Sequence, residues 1–125
     1  MYFFISIVWV LIIAVLHFIP GYDLPQLDLS YIFQIDKIVH VFIFCVGVYL
    51  FATALSERQK NSFLSYLVLM FILYGLLLEV LQDLFLIQRS ADVFDWLADI
   101  IGVFLGVWLF NKFPILVPVK SFKKD

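Results

Sequence analysis

The stretch that decides the fold is Asp92-Val-Phe-Asp95-Trp-Leu-Ala-Asp99-Ile-Ile-Gly102-Val-Phe-Leu-Gly106-Val-Trp-Leu-Phe-Asn-Lys112. Its uninterrupted apolar run covers only Ile100 to Phe110. At about 1.5 Å per residue that run cannot cross a hydrocarbon core of roughly 30 Å. Pro114 and Pro118 oppose extension beyond Lys112, because proline lacks an amide donor and clashes with the preceding turn. The helix is therefore expected to start near Asp92 to Asp95, which carries Asp99 into or close to the membrane.

Working outward, three more apolar segments precede this one. Tyr2 to Ile19 is the first, and about Ile38 to Leu55 the second. The third begins near Phe63, is apolar to Leu78, then meets Glu79, Gln82 and Asp83 and is expected to continue toward Leu86. The fold class is all-α: a four-transmembrane-helix membrane bundle with both termini cytoplasmic, forming one domain over residues 1–125 with spans of about 2–19, 38–55, 63–86 and 94–111. The composition agrees, with 65% of the 125 residues hydrophobic and only 14% charged. So small a soluble domain has too little interior to hide that much apolar surface. The formal charge of -2 argues against a nucleic-acid partner.

Met1 to Ile19 lacks a basic leader and a small-residue cleavage site, and Pro20 and Gly21 follow at once, so an uncleaved first span is expected. Between the first two spans, a short interfacial helix around Leu29 to Gln34 is expected. Cys45 is the only cysteine and reads as a small core residue. His17, at the end of the first span, reads as an interfacial residue. Orientation follows lysine and arginine placement. Arg58, Lys60, Lys112, Lys120, Lys123 and Lys124 lie on one side, Lys37 and Arg89 on the other. The first group belongs in the cytoplasm, which puts most aspartates at the extracytoplasmic face of the membrane.

Three polar stripes then fall at one end. Asp36 and His40 are four apart and share a face, with Lys37 beside them. Gly75, Glu79 and Gln82 follow helical spacing on the third span. Asp95, Asp99, Gly102 and Gly106 do so on the fourth, where the two glycines form a small-xxx-small packing pattern. Ionisable groups at such depth are costly and need partners or water. Glu79, His40 and Asp95 are the acid–base candidates. Asp36, Lys37, Gln82, Arg89 and Asp99 are candidates for holding a substrate. A divalent metal ion is the cofactor these residue types would suit, with Asp95, Asp99, Glu79 and His40 as its candidate ligands. Each group also has a plainer reading: Asp36 and Asp95 as carboxylates at helix N-termini, His40 as a hydrogen-bonded bundle residue, Arg89 as an interfacial cation.

The pattern Asp36-Lys37-Ile-Val-His40, followed by Glu79, Gln82, Arg89, Asp95, Gly102 and Gly106 in order and spacing, resembles the VanZ-like family of bacterial membrane proteins. Asp99 stands where that family usually carries asparagine and adds a second carboxylate one turn from Asp95. The resemblance implies an envelope role and a link to resistance against the glycopeptide teicoplanin. The partners expected are membrane lipids and either a lipid-linked cell-wall intermediate or a glycopeptide-related ligand; self-association stays open. Three functions compete: a binding protein for such a headgroup, a membrane-embedded enzyme acting on a phosphate- or glycan-linked lipid, and a small transporter component. The last is disfavoured because the polar stripes stop halfway.

Overall fold

The computed structural model describes residues 1–19, 29–55, 62–85 and 91–115. These residues form four α-helices: α1 (Tyr2–His17), α2 (Leu29–Leu55), α3 (Ser62–Phe85) and α4 (Val93–Lys112). They run alternately up and down. His17 of α1 meets His40 of α2 near one end, whereas Phe3 meets Phe51 near the other.

The expected start of α4 is observed. Asp92 is its N-cap, its side chain accepting from the Phe94 N–H at 2.8 Å, and Asp95 sits in the first turn. A carboxylate there satisfies an amide that has no intrahelical acceptor and faces the positive end of the helix dipole. Likewise α3 continues past Glu79 to Phe85.

Two expectations change. Instead of a separate interfacial helix followed by a span from Ile38, α2 is one continuous helix from Leu29. No proline or glycine interrupts Leu29 to His40, and the nearest proline upstream is Pro25. Lys37 is satisfied by carboxylates on α4, so it does not have to mark a helix boundary. Second, three described helices rather than four are long and apolar enough to cross a bilayer: Ile35–Leu55, Phe63–Phe85 and Val93–Lys112. α1 has 16 residues, so it measures about 24 Å, short of the roughly 30 Å required. Pro20, three residues on, cannot donate to a continuing helix.

Lipid tails are as apolar as leucine, so burial from water does not drive these helices together; close packing and interhelical hydrogen bonds do. The outer faces accordingly expose large apolar side chains such as Leu11, Met70, Phe104 and Trp108. The most extensive interface joins α2 and α4. A methyl group added at Gly102 would collide with the Val41 carbonyl oxygen, and one at Gly106 would come within 2.5 Å of the Cys45 carbonyl oxygen. Only glycine permits that approach. Aromatic donors tie the other pairs: Trp9 to the Ile43 carbonyl at 2.9 Å, Tyr74 to Val10 at 2.7 Å and Trp96 to Ile72 at 3.1 Å. Phe44, fully buried, is at the centre with Ile13, Val48 and Val103. Cys45 is buried as expected.

Candidate functional site

The alternating topology carries the C-terminal ends of α1 and α3 and the N-terminal parts of α2 and α4 to one end of the bundle. Each helix delivers at least one polar side chain there. His17 comes from α1, His40 from α2, Glu79 and Gln82 from α3, and Asp95 and Asp99 from α4; all are buried.

Two groups can be distinguished. The inner one holds His17, His40, Glu79 and Asp99, each offering a ligand-type atom, with those atoms all within 4.8 Å of one another. The His40 Nδ1 to Asp99 Oδ1 distance is 2.9 Å. The Asp92 N–H donates to Glu79 Oε2 at 3.0 Å, which fixes the Glu79 carboxylate against the start of α4. Gln82 Nε2 donates to the His17 carbonyl at 2.5 Å and ties α3 to the end of α1. The His17 Nδ1 lies 2.8 Å from the Ile13 carbonyl. Since a carbonyl only accepts, Nδ1 carries a proton, which in the neutral ring leaves Nε2 as the lone-pair nitrogen.

Among the described residues, Glu79 Oε1 and Asp99 Oδ2 are buried without a hydrogen-bond partner. Their residues are 3% and 0% exposed. Buried carboxylate oxygens are normally satisfied, so each open one asks what it is for. Gly75 belongs to the same arrangement: a methyl there would sit 2.8 Å from Asp99 Oδ2. The stripe Gly75, Glu79, Gln82 thus faces inward, and its small member makes room for the Asp99 carboxylate.

The outer group is ionic. Lys37 Nζ bonds Asp95 Oδ1 at 2.6 Å and Asp92 Oδ2 at 3.1 Å. Asp36 Oδ1 lies 3.9 Å from His40 Nε2, so the imidazole lies between the two groups. Asp36, His40 and Asp95 also bring ligand-type atoms within 4.8 Å. At Asp92, burial pushes the carboxyl pKa up, but the Phe94 amide and the Lys37 ammonium outweigh it and hold the group below its ordinary value.

Of the residues singled out from sequence, Asp36, Lys37, His40, Glu79, Gln82, Asp95 and Asp99 gather at this end. Asp95 is drawn to Lys37, and its place beside Glu79 and Asp99 is taken by His17. Arg89 lies outside the described residues. Gly102 and Gly106 pack α4 on α2, a structural task. His17 is the residue that sequence reasoning passed over. Expected at the interface, it is 2% exposed. A signal existed: Ser6, Ile13 and His17 fall at i, i+7 and i+11, one face of α1, and all three are buried.

A model of the VanZ/LLP1 family matches residues 2–117, which takes in all four helices. The chain belongs to the VanZ/LLP1 family. No curated protein and no solved structure matches it. Family and helices together make this VanZ/LLP1 chain a membrane protein. Chemically, its polar end holds an imidazole oriented by a carboxylate, a second imidazole, and a buried glutamate with one open oxygen. Such a set can bind a cation, exchange protons, or accept hydrogen bonds from a ligand rich in hydroxyl or amino groups.

Proposed function

We propose that this VanZ/LLP1 protein binds an envelope lipid, its tail between α2 and α4 and its polar head at the acidic end of the bundle. The observation that carries this reading is an almost wholly apolar cavity of about 620 Å³, lined by Val41, Phe42 and Cys45 of α2 and by Leu97, Ile101 and Leu105 of α4. Among the described residues its one charged lining residue is Lys37, at the end nearest the polar groups. The shape and polarity match an amphiphile.

Among the described residues, Asp92 and Asp95 pair with the Lys37 ammonium and Asp36 lies beside His40, so carboxylates outnumber ammonium groups there. Such surroundings favour a head that donates hydrogen bonds, such as a sugar or an amine-bearing peptide. A lipid-linked cell-wall intermediate has that chemistry. Changing its display at the surface would alter sensitivity to a glycopeptide such as teicoplanin, the phenotype that gave the family its name. The asymmetry of six lysines and arginines against two supports cytoplasmic termini and an outward-facing polar end in the bacterial cytoplasmic membrane. Reporter fusions at Arg58 and Ser90 should report opposite compartments.

The test is to purify the protein in mild detergent and identify retained lipids by mass spectrometry. One class should be enriched over its share of the membrane. Leu97→Trp with Ile101→Trp, which fill the groove from its open side, should abolish that enrichment without unfolding the bundle. Retention of lipids in their bulk proportions would sink the reading.

A second reading, a membrane-embedded enzyme, draws on the His40–Asp99 pair at 2.9 Å. An imidazole held by a buried carboxylate is how a general base is oriented, and Glu79 would supply the acid. The buried hydroxyls of Ser6 and Thr53 bond carbonyls of their own helices, Tyr2 and Tyr49. Turnover of a phosphate- or glycan-linked lipid, lost in Glu79→Gln, would establish it.

A further inference from the structure

From the inner group of side chains we infer a site for one divalent transition-metal ion, held by His17, His40, Glu79 and Asp99. The inference stands apart from the lipid reading, because it uses four buried side chains and none of the groove.

The donor set comes first. Two imidazoles and two carboxylates, one from each helix, place ligand atoms within 4.8 Å of one another. Ligands around a tetrahedral ion at about 2.1 Å stand roughly 3.4 Å apart, so side-chain rotations of about an ångström close the site. The second observation is independent of that clustering. Glu79 Oε1 and Asp99 Oδ2 have no hydrogen-bond partner among the described residues, although both residues are more than nine-tenths buried.

The partnered atoms are oriented as an outer ring would be. Glu79 Oε2 is held by the Asp92 amide, which leaves Oε1 as its free ligand atom. His40 turns Nδ1 toward Asp99 Oδ1 at 2.9 Å and Nε2 toward Asp36, so Nδ1 is the imidazole's ligand atom and Asp99 keeps Oδ2 open. The His17 Nδ1–H is committed to the Ile13 carbonyl, which sets the tautomer whose Nε2 binds metals. Gly75 keeps the space beside Asp99 Oδ2 clear of a side chain.

Charge balance adds a reason. Two carboxylates and two neutral imidazoles sum to the charge that one divalent ion cancels. A net-neutral cluster is what a low-dielectric bundle tolerates best. The mixture of imidazole and carboxylate selects zinc, manganese or ferrous iron over magnesium and calcium, which prefer oxygen alone, and over cuprous copper, which prefers sulfur.

The experiment uses the full chain in detergent, stripped with a chelator and titrated separately with zinc, manganese, cobalt and magnesium chloride. Bound metal is counted by elemental analysis after desalting. Folding is followed by helical circular dichroism and a monodisperse elution peak. About one equivalent of zinc or manganese should remain bound, and cobalt should give visible d–d absorption of a nitrogen–oxygen site. Glu79→Gln and Asp99→Asn should each weaken binding at least about tenfold, the loss typical of disturbed metal sites. Ser6→Ala, at the other end of the bundle, should bind as the parent does. Folded parent protein that retains none of these ions would overturn the assignment, as would unchanged binding in the two folded variants. Should both variants unfold, the cobalt spectrum of the parent decides: absence of the bands refutes the site, their presence supports it.

Discussion

The two ends of this bundle bury polar groups in opposite ways. Toward the apolar end, Ser6 and Thr53 are fully buried, yet each hydroxyl donates to a carbonyl one turn back in its own helix, at 2.9 Å in both cases. Among the described residues the Ser6 hydroxyl bonds only within its own helix. At the polar end, Lys37, His40, Glu79, Gln82 and Asp99 reach between helices or leave an oxygen open. Burial alone therefore does not mark a site. The useful distinction is whether a polar group is satisfied within its own helix or is aimed at something beyond it. If that holds, substitutions at the two ends should differ in kind as well as in size.

The largest effect should come from the interface that both ends share. Gly102 lies less than one turn beyond Asp99 and packs against the Val41 backbone. Gly102→Leu cannot be absorbed by a rotamer change, since the clash is with backbone. Overpacking in a core ordinarily costs about 1–3 kcal/mol and more where nothing can move. Gly102→Leu should separate α4 from α2, seen as loss of the monodisperse peak in detergent and as a lowered melting temperature. A fully folded Gly102→Leu protein would mean that the helix pair is looser than its spacing indicates.

Next in size is Lys37→Met. It keeps the apolar stem but leaves Asp92 and Asp95 near one another without the Lys37 ammonium. Losing one partner of a well-buried pair costs about 3–5 kcal/mol. With side chains 12–27% exposed, about 1–3 kcal/mol is the reasonable scale after screening. Adding Asp95→Asn should restore part of the loss, and a double-mutant cycle on melting free energies should show coupling. Additive effects would mean that the ion pair contributes no specific interaction. At the other end, Ser6→Ala removes one hydroxyl bonded within its own helix and should cost under about 1 kcal/mol. A larger loss there would erase the contrast between the ends.

The same contrast explains what could be read from sequence. Helix number, the beginning of α4 at Asp92 and the extension of α3 past Glu79 were legible, because membrane thickness sets a minimum length and the apolar runs fell short of it. The shared polar end was legible from helical spacing on α2, α3 and α4. Two features were not. Asp36 and Lys37 looked like the end of a span because a charge in isolation belongs at an interface; that Asp92 and Asp95 would neutralise Lys37 is a tertiary fact. His17 looked terminal for a similar reason. Its spacing from Ser6 and Ile13 put it on one face of α1, but that Gln82 and His40 would meet it there from two other helices is encoded by no local pattern. Whether α1 spans by itself was also overestimated, since residues 18 and 19 read as apolar but do not continue the helix.

The smallest expected effect tests the outer group by pH. The Asp92 carboxyl is pushed up by burial, but it accepts from the Phe94 amide and from Lys37, and the balance holds its pKa below the ordinary 3.8. Among the described residues Lys37 is the cation nearest it, and the His40 imidazole also favours its charged form. A carboxyl whose folded pKa is lowered contributes its stability in full above the unfolded value, near 3.8. That contribution is then lost as pH falls through the lower folded value. Melting temperature should therefore drop as pH is taken below about 4, and part of the drop should vanish in Asp92→Asn. Asparagine still caps α4 and Asp95 still holds Lys37, so at neutral pH the variant should melt within a few degrees of the parent. A variant as acid-sensitive as the parent would show that Asp92 adds no charge-dependent stability. The acid loss would then belong to the inner carboxylates, and the two ends would differ only in the side chains that reach between helices.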